Sequence, residues 1–554
     1  MLSSAAPQQT ISTDVLIIGV GPVGLAAAIE LGMRGVRVFV AERNTRGGTA
    51  PRAKTTNVRT RTHLRRWGIA DRLAAASPFG VDYPNTMVFV TRLAGHELAR
   101  FVDAFNAAPK RSQLYPEHAQ WIPQYTLEQV LLEKAHSLPS VEIRFDTTFV
   151  TAAQDAQSIT GTLTSKQGDT ITVKARYLIG ADGARSTVRE VIGARMEGRH
   201  GFTRHYNIIF RAPGLAQAHK FGPAAGFWQI GKDGFSGIGP MDRNDTWFFI
   251  PGIAREQTLS NAEAAAMIRD RTGIDLPYEI LSADAWVASE LLADRYADRR
   301  IILAGDACHL HPPFGGYGMN MGVGDGVDLG WKIAATLQGW GGPALVDSYA
   351  SERRPIHKAV IEEAVANHAI VAIAPPPSLE DDTAEGAAQR AALGANLQAT
   401  KGREFYTLGT VLGLGYENSP VIAGERGTPP PHHSQVYTPT ARPGYLAPHA
   451  WLAGGSSLYD AFGMGFALLV ASSADEAQVR TARDEARALN VPLTVVRPEG
   501  VAVRELYGAD LTLIRPDQHV AWRGDRWTEA FAHVTGRTES FARMPVAAAT
   551  AVAE

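Results

Sequence analysis

An apolar run at residues 13–19 leads into Gly19-Val-Gly21-Pro22-Val23-Gly24, then into a helical pattern over residues 25–34. The run is short and rich in branched side chains, which marks a buried strand. Gly35 ends the helix, and residues 36–42 read as a second strand. By itself Gly-x-Gly-x-x-Gly is a weak signal. In a chain with 54 glycines among 554 residues, about half an occurrence arises by chance. Placed between a strand and a helix it becomes specific, because the helix amides and dipole can hold a pyrophosphate. Glu42, ending the second strand, is positioned to hydrogen-bond a ribose hydroxyl. The expectation is a dinucleotide site on a doubly wound α/β domain.

Composition narrows the class. There are 54 Lys and Arg against 56 Asp and Glu, a net charge of −2, with no block of like charges. A nucleic-acid partner, which needs a basic face, is not expected. No run of eighteen apolar residues marks a membrane span, and residues 1–13 lack the apolar stretch of a signal peptide. The single cysteine, Cys308, excludes an intrachain disulfide, a cysteine-based zinc cluster and a CxxC redox site. A cytoplasmic protein is expected, whose chemistry comes from a bound cofactor or from non-thiol groups.

Two further segments repeat the strand-then-turn pattern. Residues 177–180 run into Ala181-Asp182-Gly183 and a helix start near Ser186 to Arg189. Residues 300–304 run into Gly305-Asp306, then His309-Leu-His311-Pro312-Pro313-Phe-Gly315-Gly316-Tyr-Gly318-Met319-Asn320, with a helix over residues 324–337. Between these segments, residues 202–253 alternate aromatic and branched residues, the texture of an antiparallel sheet. Residues 465–471, 493–496 and 512–514 read as strands of a C-terminal α/β domain beyond a proline-rich linker at 428–433. His309 and His311 have no acid or third imidazole at ligand spacing, so no metal is expected.

Taken together and in this order, the three motifs resemble the para-hydroxybenzoate hydroxylase type of flavoprotein monooxygenase, single-component and FAD-dependent. Pro51-Arg52-Ala53, Asn57-x-Arg59-Thr60 and Ile122-Pro-Gln124-x-x-Leu-Glu128 are similar to its phenol hydroxylase branch. So is the tail from Thr440 to Arg523, which resembles that branch's thioredoxin-like domain. The resemblance implies a discontinuous FAD-binding domain over 1–80, 110–195 and 285–375. It implies a mainly antiparallel substrate domain over 81–109 and 196–284, a helical segment and linker over 376–433, and a thioredoxin-like domain over 434–545. It implies non-covalent FAD held by Gly19, Gly21, Pro22, Val23, Gly24, Glu42, Arg43, Arg52, Gln124, Val150, Asp182, Asp306, Gly316, Gly318, Met319 and Asn320.

The activity so implied is hydroxylation of a small phenolic substrate. NAD(P)H reduces the flavin, O₂ adds at its C4a to give a hydroperoxide, and the distal oxygen attacks the ring. Pro313 and Lys54 are the candidate catalytic residues, and Trp228 and Phe235 the candidate substrate contacts. Lys54 departs from the branch, which has Pro-Arg-x-His in this loop; a lysine there pairs with a substrate anion more readily than it acts as a base. Baeyer–Villiger oxidation or epoxidation of a polycyclic substrate on the same scaffold is the alternative. A flavin-binding interaction protein without turnover is the alternative from another class, and a homodimer is left open. NAD(P)H is expected to bind transiently, because no second strand–Gly-x-Gly-x-x-Gly–helix unit is present. A thioredoxin-like domain without a cysteine pair cannot exchange disulfides. The full-length protein is therefore expected to show no insulin-disulfide reduction by dithiothreitol-coupled turbidity; a rate above the buffer control would contradict this.

Overall fold

The computed structural model describes residues 9–45, 53–253 and 258–538. They fall into two compact units, one of residues up to 330 with 354–414 and 432–438, the other of 331–353, 415–431 and the chain from 439 onward. Among the described residues, no helix is long and apolar enough to cross a membrane.

The first unit is organised by a six-stranded sheet. Its order is Ala297–Asp298, Ile301–Leu303, Tyr177–Gly180, Val15–Ile18, Val38–Ala41 and Val141–Arg144, all neighbours parallel except the first pair. Its inner strands, Val-Leu-Ile-Ile, Val-Phe-Val-Ala, Tyr-Leu-Ile-Gly and Ile-Ile-Leu, are buried throughout, as continuous apolar runs require when helices cover both faces. A small sheet of Gln9–Ser12, Thr170–Ala175, Ile159–Ser165 and Thr147–Gln154 stands beside it in sequence.

An eight-stranded sheet makes up most of the rest of this unit's β-structure, beside a two-stranded ribbon of Thr55–Thr56 and Gln120–Trp121. Its order is His309–Leu310, Glu279–Ala293, Met196–Arg211, Thr246–Ile253, Gly234–Pro240, Gly226–Gly231, Met87–Val90 and Glu97–Phe101. One face buries Tyr206, Ile208, Phe210, Phe227, Trp247 and Phe249 against helix Asn261–Thr272. That helix is fixed by a Ser260–Glu263 capping box and by Gly273 at φ +67. The opposite face carries Trp228, Phe235, Phe248 and Ile209. Weak periodicity over residues 79–122 hid the strands Met87–Val90 and Glu97–Phe101, which are short and lie at this sheet's edge.

Two helices cross closely in this unit. Helix Gly318–Leu337 begins six residues earlier than its sequence pattern suggests, because glycines mask its first turns. A Cβ at Gly322 would lie 2.5 Å from the Val23 side chain, one at Gly326 2.8 Å from Val23 O and Ala27 N, and one at Gly330 2.5 Å from Glu30. The contacts advance together along helix Pro22–Gly32, so the two helices run parallel at backbone distance.

The second unit has a four-stranded sheet in the order Leu493–Val496, Phe466–Val470, Leu511–Ile514, Val520–Gly524. The first pair is parallel and joined through helix Glu476–Ala488, and the others are antiparallel, the βαβ–ββ order of a thioredoxin-like domain. Its core also includes Trp331, Ala335, Trp340, Leu345 and Val421. Within this unit Glu352 accepts from Lys332 at 2.6 Å and from Arg515 at 2.6 and 2.9 Å, with all three side chains at 0% exposure. Asp517 holds the other edge of the Arg515 guanidinium.

Gly326→Ala tests the crossing. Helix propensity alone would favour alanine by about 1 kcal/mol. The added methyl meets backbone that cannot move aside, and overpacking of this kind typically costs ~1–3 kcal/mol. A lowered thermal midpoint is expected in calorimetry, and a raised one would show that the crossing has slack.

Candidate active site

Gly19, Glu42, Asp182 and Asp306 all follow the carboxyl ends of parallel strands, where open α/β sheets bind ligands. Gly19 sits at φ +108, and a Cβ there would lie 2.3 Å from the Ala181 carbonyl oxygen. A Cβ on Gly24 would lie 1.9 Å from the Gly19 carbonyl oxygen. Gly21 meets nothing within 4 Å and caps helix Pro22–Gly32 with no side chain over its first amides. That combination, a tight turn opening onto bare helix amides, suits a pyrophosphate. Glu42 accepts the Val20 N–H at 3.0 Å and is gripped by Asn44 on its other oxygen, which aims the carboxylate along the turn. Arg43 is exposed beside it. Val150 is 48% exposed on strand Thr147–Gln154, whose first amide bonds the Glu42 carbonyl. Pro51 and Arg52 lie outside the described residues.

Asp306 lies half-buried in the turn Gly305–Ala307. A hub that sequence spacing did not reveal supports this turn. Asp325 accepts the Gly305 N–H at 3.0 Å, His309 Nε2 at 3.0 Å and His357 Nε2 at 2.9 Å. Both imidazoles then carry their proton on Nε2, and the Tyr296 hydroxyl donates to His357 Nδ1 at 2.8 Å. Cys308, His309, Asp325 and His357 place ligand-type atoms within 4.8 Å of one another, a different group from the His309–His311 pair weighed in the sequence. His311 is directed instead to the Pro312 carbonyl. Arg189 clasps the Ala307 and Ala184 carbonyls, while Asp182 accepts from Ser186 and from the Val188 N–H, so its carboxylate closes the turn before helix Thr187–Val191. Burial raises the Asp182 pKa.

Pro313 is exposed in the following loop, where Gly315 and Gly316 adopt φ +85 and +66. Helix Gly318–Leu337 starts directly after, so Gly318 and Met319 offer first-turn amides and the positive end of the helix dipole. Asn320 is a staple. Its amide donates to the carbonyls of Thr55 and Gly316, and its oxygen accepts the Asn57 N–H. Only its backbone remains for a ligand. Gln124 similarly accepts the Ala53 N–H and donates to Glu128. Asn320 bolts the loop carrying Lys54 to the glycine turn, and Gln124 bolts it to the start of helix Gln124–His136.

The eight-stranded sheet turns rings toward this loop. Gly237 and Gly239 let the Trp228 and Phe248 rings lie across the sheet, with a Cβ at either glycine falling inside them. Trp228, Phe235 and Phe314 gather with centroids 5.3–6.1 Å apart. Lys54 Nζ stands 4.2 Å from the Phe248 ring centroid and has no hydrogen-bond or ion-pair partner among the described residues. Its surface is partly accessible, yet protein surrounds it closely enough that desolvation lowers its pKa to about 8.

A model described as the FAD binding domain matches residues 12–364, and one described as the aromatic-ring hydroxylase C-terminal domain matches residues 440–541. The chain belongs to the FAD-dependent aromatic-ring hydroxylases. It is 30% identical to the 2,4-dichlorophenol 6-monooxygenase of Delftia acidovorans, over 94% of this chain and 96% of that one. Among solved structures it is similar to the rebeccamycin biosynthetic enzyme RebC with reduced flavin, at TM-score 0.87 and 34% identity, covering 96% of this chain and 100% of that one. A ternary complex of aklavinone-11 hydroxylase with FAD and aklavinone matches at TM-score 0.80 and 28% identity, covering 95% and 99%. The protein is an FAD-dependent monooxygenase of aromatic substrates, with a hydroxylase fold and C-terminal domain as the sequence motifs indicated.

Asp306→Ala removes a strand-end carboxylate, and hydrogen bonds to a charged group contribute roughly 1.5–3 kcal/mol, about ten- to a hundredfold in affinity. FAD fluorescence titration of the apoprotein is expected to show a rise in Kd of that size. Asp325→Asn is expected to weaken FAD as well, by loosening the same turn. Unchanged Kd values in both would leave the turn without a role in cofactor binding.

Proposed function

We propose that the protein hydroxylates a phenolic ring carried on a flat aromatic framework, with NAD(P)H and O₂ as co-substrates. The observation that carries this reading is the Lys54 ammonium, set against an aromatic ring beside the flavin loop without a countercharge among the described residues. Bound FAD supplies the redox chemistry and the activation of O₂. The Gly19–Gly24 turn, Glu42, Asp306 and the amides at Gly318 and Met319 would hold it. The positive end of helix Gly318–Leu337 favours negative charge at the ring of a reduced cofactor.

The remaining work falls to the recess in which the substrate would lie, between Lys54 and the rings on this face of the sheet. Trp228, Phe235, Phe248 and Phe314 supply apolar surface that excludes water and stacks a planar substrate. Lys54 favours the phenolate, or a carboxylate of the substrate, by pairing with it. A phenolate ring is more electron-rich than the phenol and therefore more open to electrophilic oxygen. Pro313, exposed in the loop before the glycines, would shape the approach to the flavin.

A second reading, ring-inserting or epoxidising oxidation of a polycyclic substrate, is favoured by the flat paving over Gly237 and Gly239, which suits a wide planar ligand. Product analysis separates the readings, because a new phenolic hydroxyl differs from a lactone or epoxide.

The charge on Lys54 gives a pH signature. Below about 8 the ammonium is present and anionic ligands bind; above it, their affinity falls as the lysine loses its proton. Lys54→Met is expected to raise the substrate KM about tenfold or more, or to uncouple NAD(P)H oxidation from product, with FAD content unchanged. The loss of affinity between pH 7 and 9 should also disappear. Wild-type coupling and KM in the variant would remove Lys54 from the substrate site.

A further inference from the structure

A set of hydrogen-bonded polar groups lies at the far end of the aromatic recess. On strand Met196–Arg211, Thr203 Oγ1 lies 3.0 Å from His205 Nε2 and 2.9 Å from His368 Nε2. His205 is 1% exposed and His368 8%. A run of rings connects them with the recess. Trp286 stacks on His205 at 4.5 Å and 14°, His205 meets His368 edge-on at 6.2 Å, and His368 meets Phe314 edge-on at 5.2 Å. Phe314 belongs to the trio with Trp228 and Phe235.

The register places this array relative to Lys54. His205 pairs with Gly252 and Ile209 with Phe248, so His205 and Phe248 share one face of the sheet. Four residues of strand separate Gly252 from Phe248, about 13 Å at the usual rise. One end of that face carries a cation and the other carries two imidazoles. The imidazoles are neutral at working pH: burial lowers both to about 4, with His368 adding to the effect on His205 and Lys401 to that on His368. The Pro251 carbonyl acts on His205 in the opposite direction, without reversing it.

A threonine hydroxyl between two bare Nε2 atoms could donate to only one of them, so the two rings must differ. When Thr203 donates to His205, it accepts from the His368 Nε2–H; when His205 donates to Thr203, Thr203 donates to His368. The second nitrogen of His368 is correspondingly an acceptor in one state and a donor in the other, with no change of charge. We propose that Thr203, His205 and His368 form a neutral relay that binds an oxygen substituent of the substrate, hydroxyl or keto, about 13 Å from the anion held by Lys54. This rests on the aromatic-hydroxylase reading of the recess and narrows its substrate to planar polycyclic aromatics that carry an anionic group at one end and a neutral oxygen toward the other.

The test compares 8-hydroxytetracene-2-carboxylate with tetracene-2-carboxylate, which share shape and charge but differ in a hydroxyl at the end of the ring system opposite the carboxylate, about 13 Å from it, as the strand spacing requires. Binding to the holoenzyme is read by perturbation of the flavin absorbance. Wild type is expected to bind the hydroxylated ligand at least tenfold more tightly, Thr203→Val to lose that preference, and Thr203→Ser to keep it. A general loosening of the fold would weaken both ligands alike, whereas loss of the relay weakens only the hydroxylated one. Equal wild-type affinities, or a preference that survives Thr203→Val, would overturn the relay. If Lys54→Met still weakened both carboxylates in that case, the reading of the recess would stand without it. Failure of wild type to bind either ligand would overturn both.

Discussion

The close approach of two parallel helices through Gly322, Gly326 and Gly330 is the constraint on which the site depends. A methyl group on any of the three would strike helix Pro22–Gly32 or its side chains. Because the contacts advance in step, the amino-terminal turns of the two helices share one side of the sheet. On the proposed reading, the first turn would hold the pyrophosphate of the cofactor and the second would face its electron-accepting end. Their fields would then add where a dianion and a reduced ring are held. Wider packing would separate those charges from the strand ends that bear Glu42 and Asp306.

The same economy of backbone explains what could be read in the sequence. Turns that need a left-handed residue or a close approach announce themselves through glycine, and buried parallel strands through unbroken apolar runs. Gly19 to Gly24, Asp306 and the loop to Gly318 were legible for that reason. The start of helix Gly318–Leu337 was not, since the glycines that permit the crossing also read as a loop. Residues 60–76 likewise read as one helix, whereas Gly68 at φ +73 divides it into Val58–Arg66 and Ala70–Ala76.

Side-chain connections across long sequence distances were beyond reach. Asn320 reads as a side-chain ligand, whereas its three hydrogen bonds to Thr55, Asn57 and Gly316 leave only its backbone for that part. Asp325 is one polar residue in a glycine-rich helix, and nothing in the spacing of Asp325 and His357 shows that they meet His309. A buried carboxylate has to find partners, so an acid within an otherwise apolar, glycine-lined helix was the one available signal. Thr203 and His368 are 165 positions apart, and only the fold relates them.

The buried ions of the second unit bear on how such a chain is made. Glu352 and Lys332 are sealed from water together with Arg515, which leaves the ribosome 163 residues after Glu352. Until that arginine arrives, the segment 331–353 has an acid that cannot be buried with its full complement of charge, and apolar residues such as Trp331 and Leu345 that lack their final cover. Synthesis from the amino terminus therefore ends with a check on completeness. A chain cut short near residue 434 would present unfinished, sticky helix ends to chaperones and proteases, even though every residue proposed to hold the cofactor had already been made.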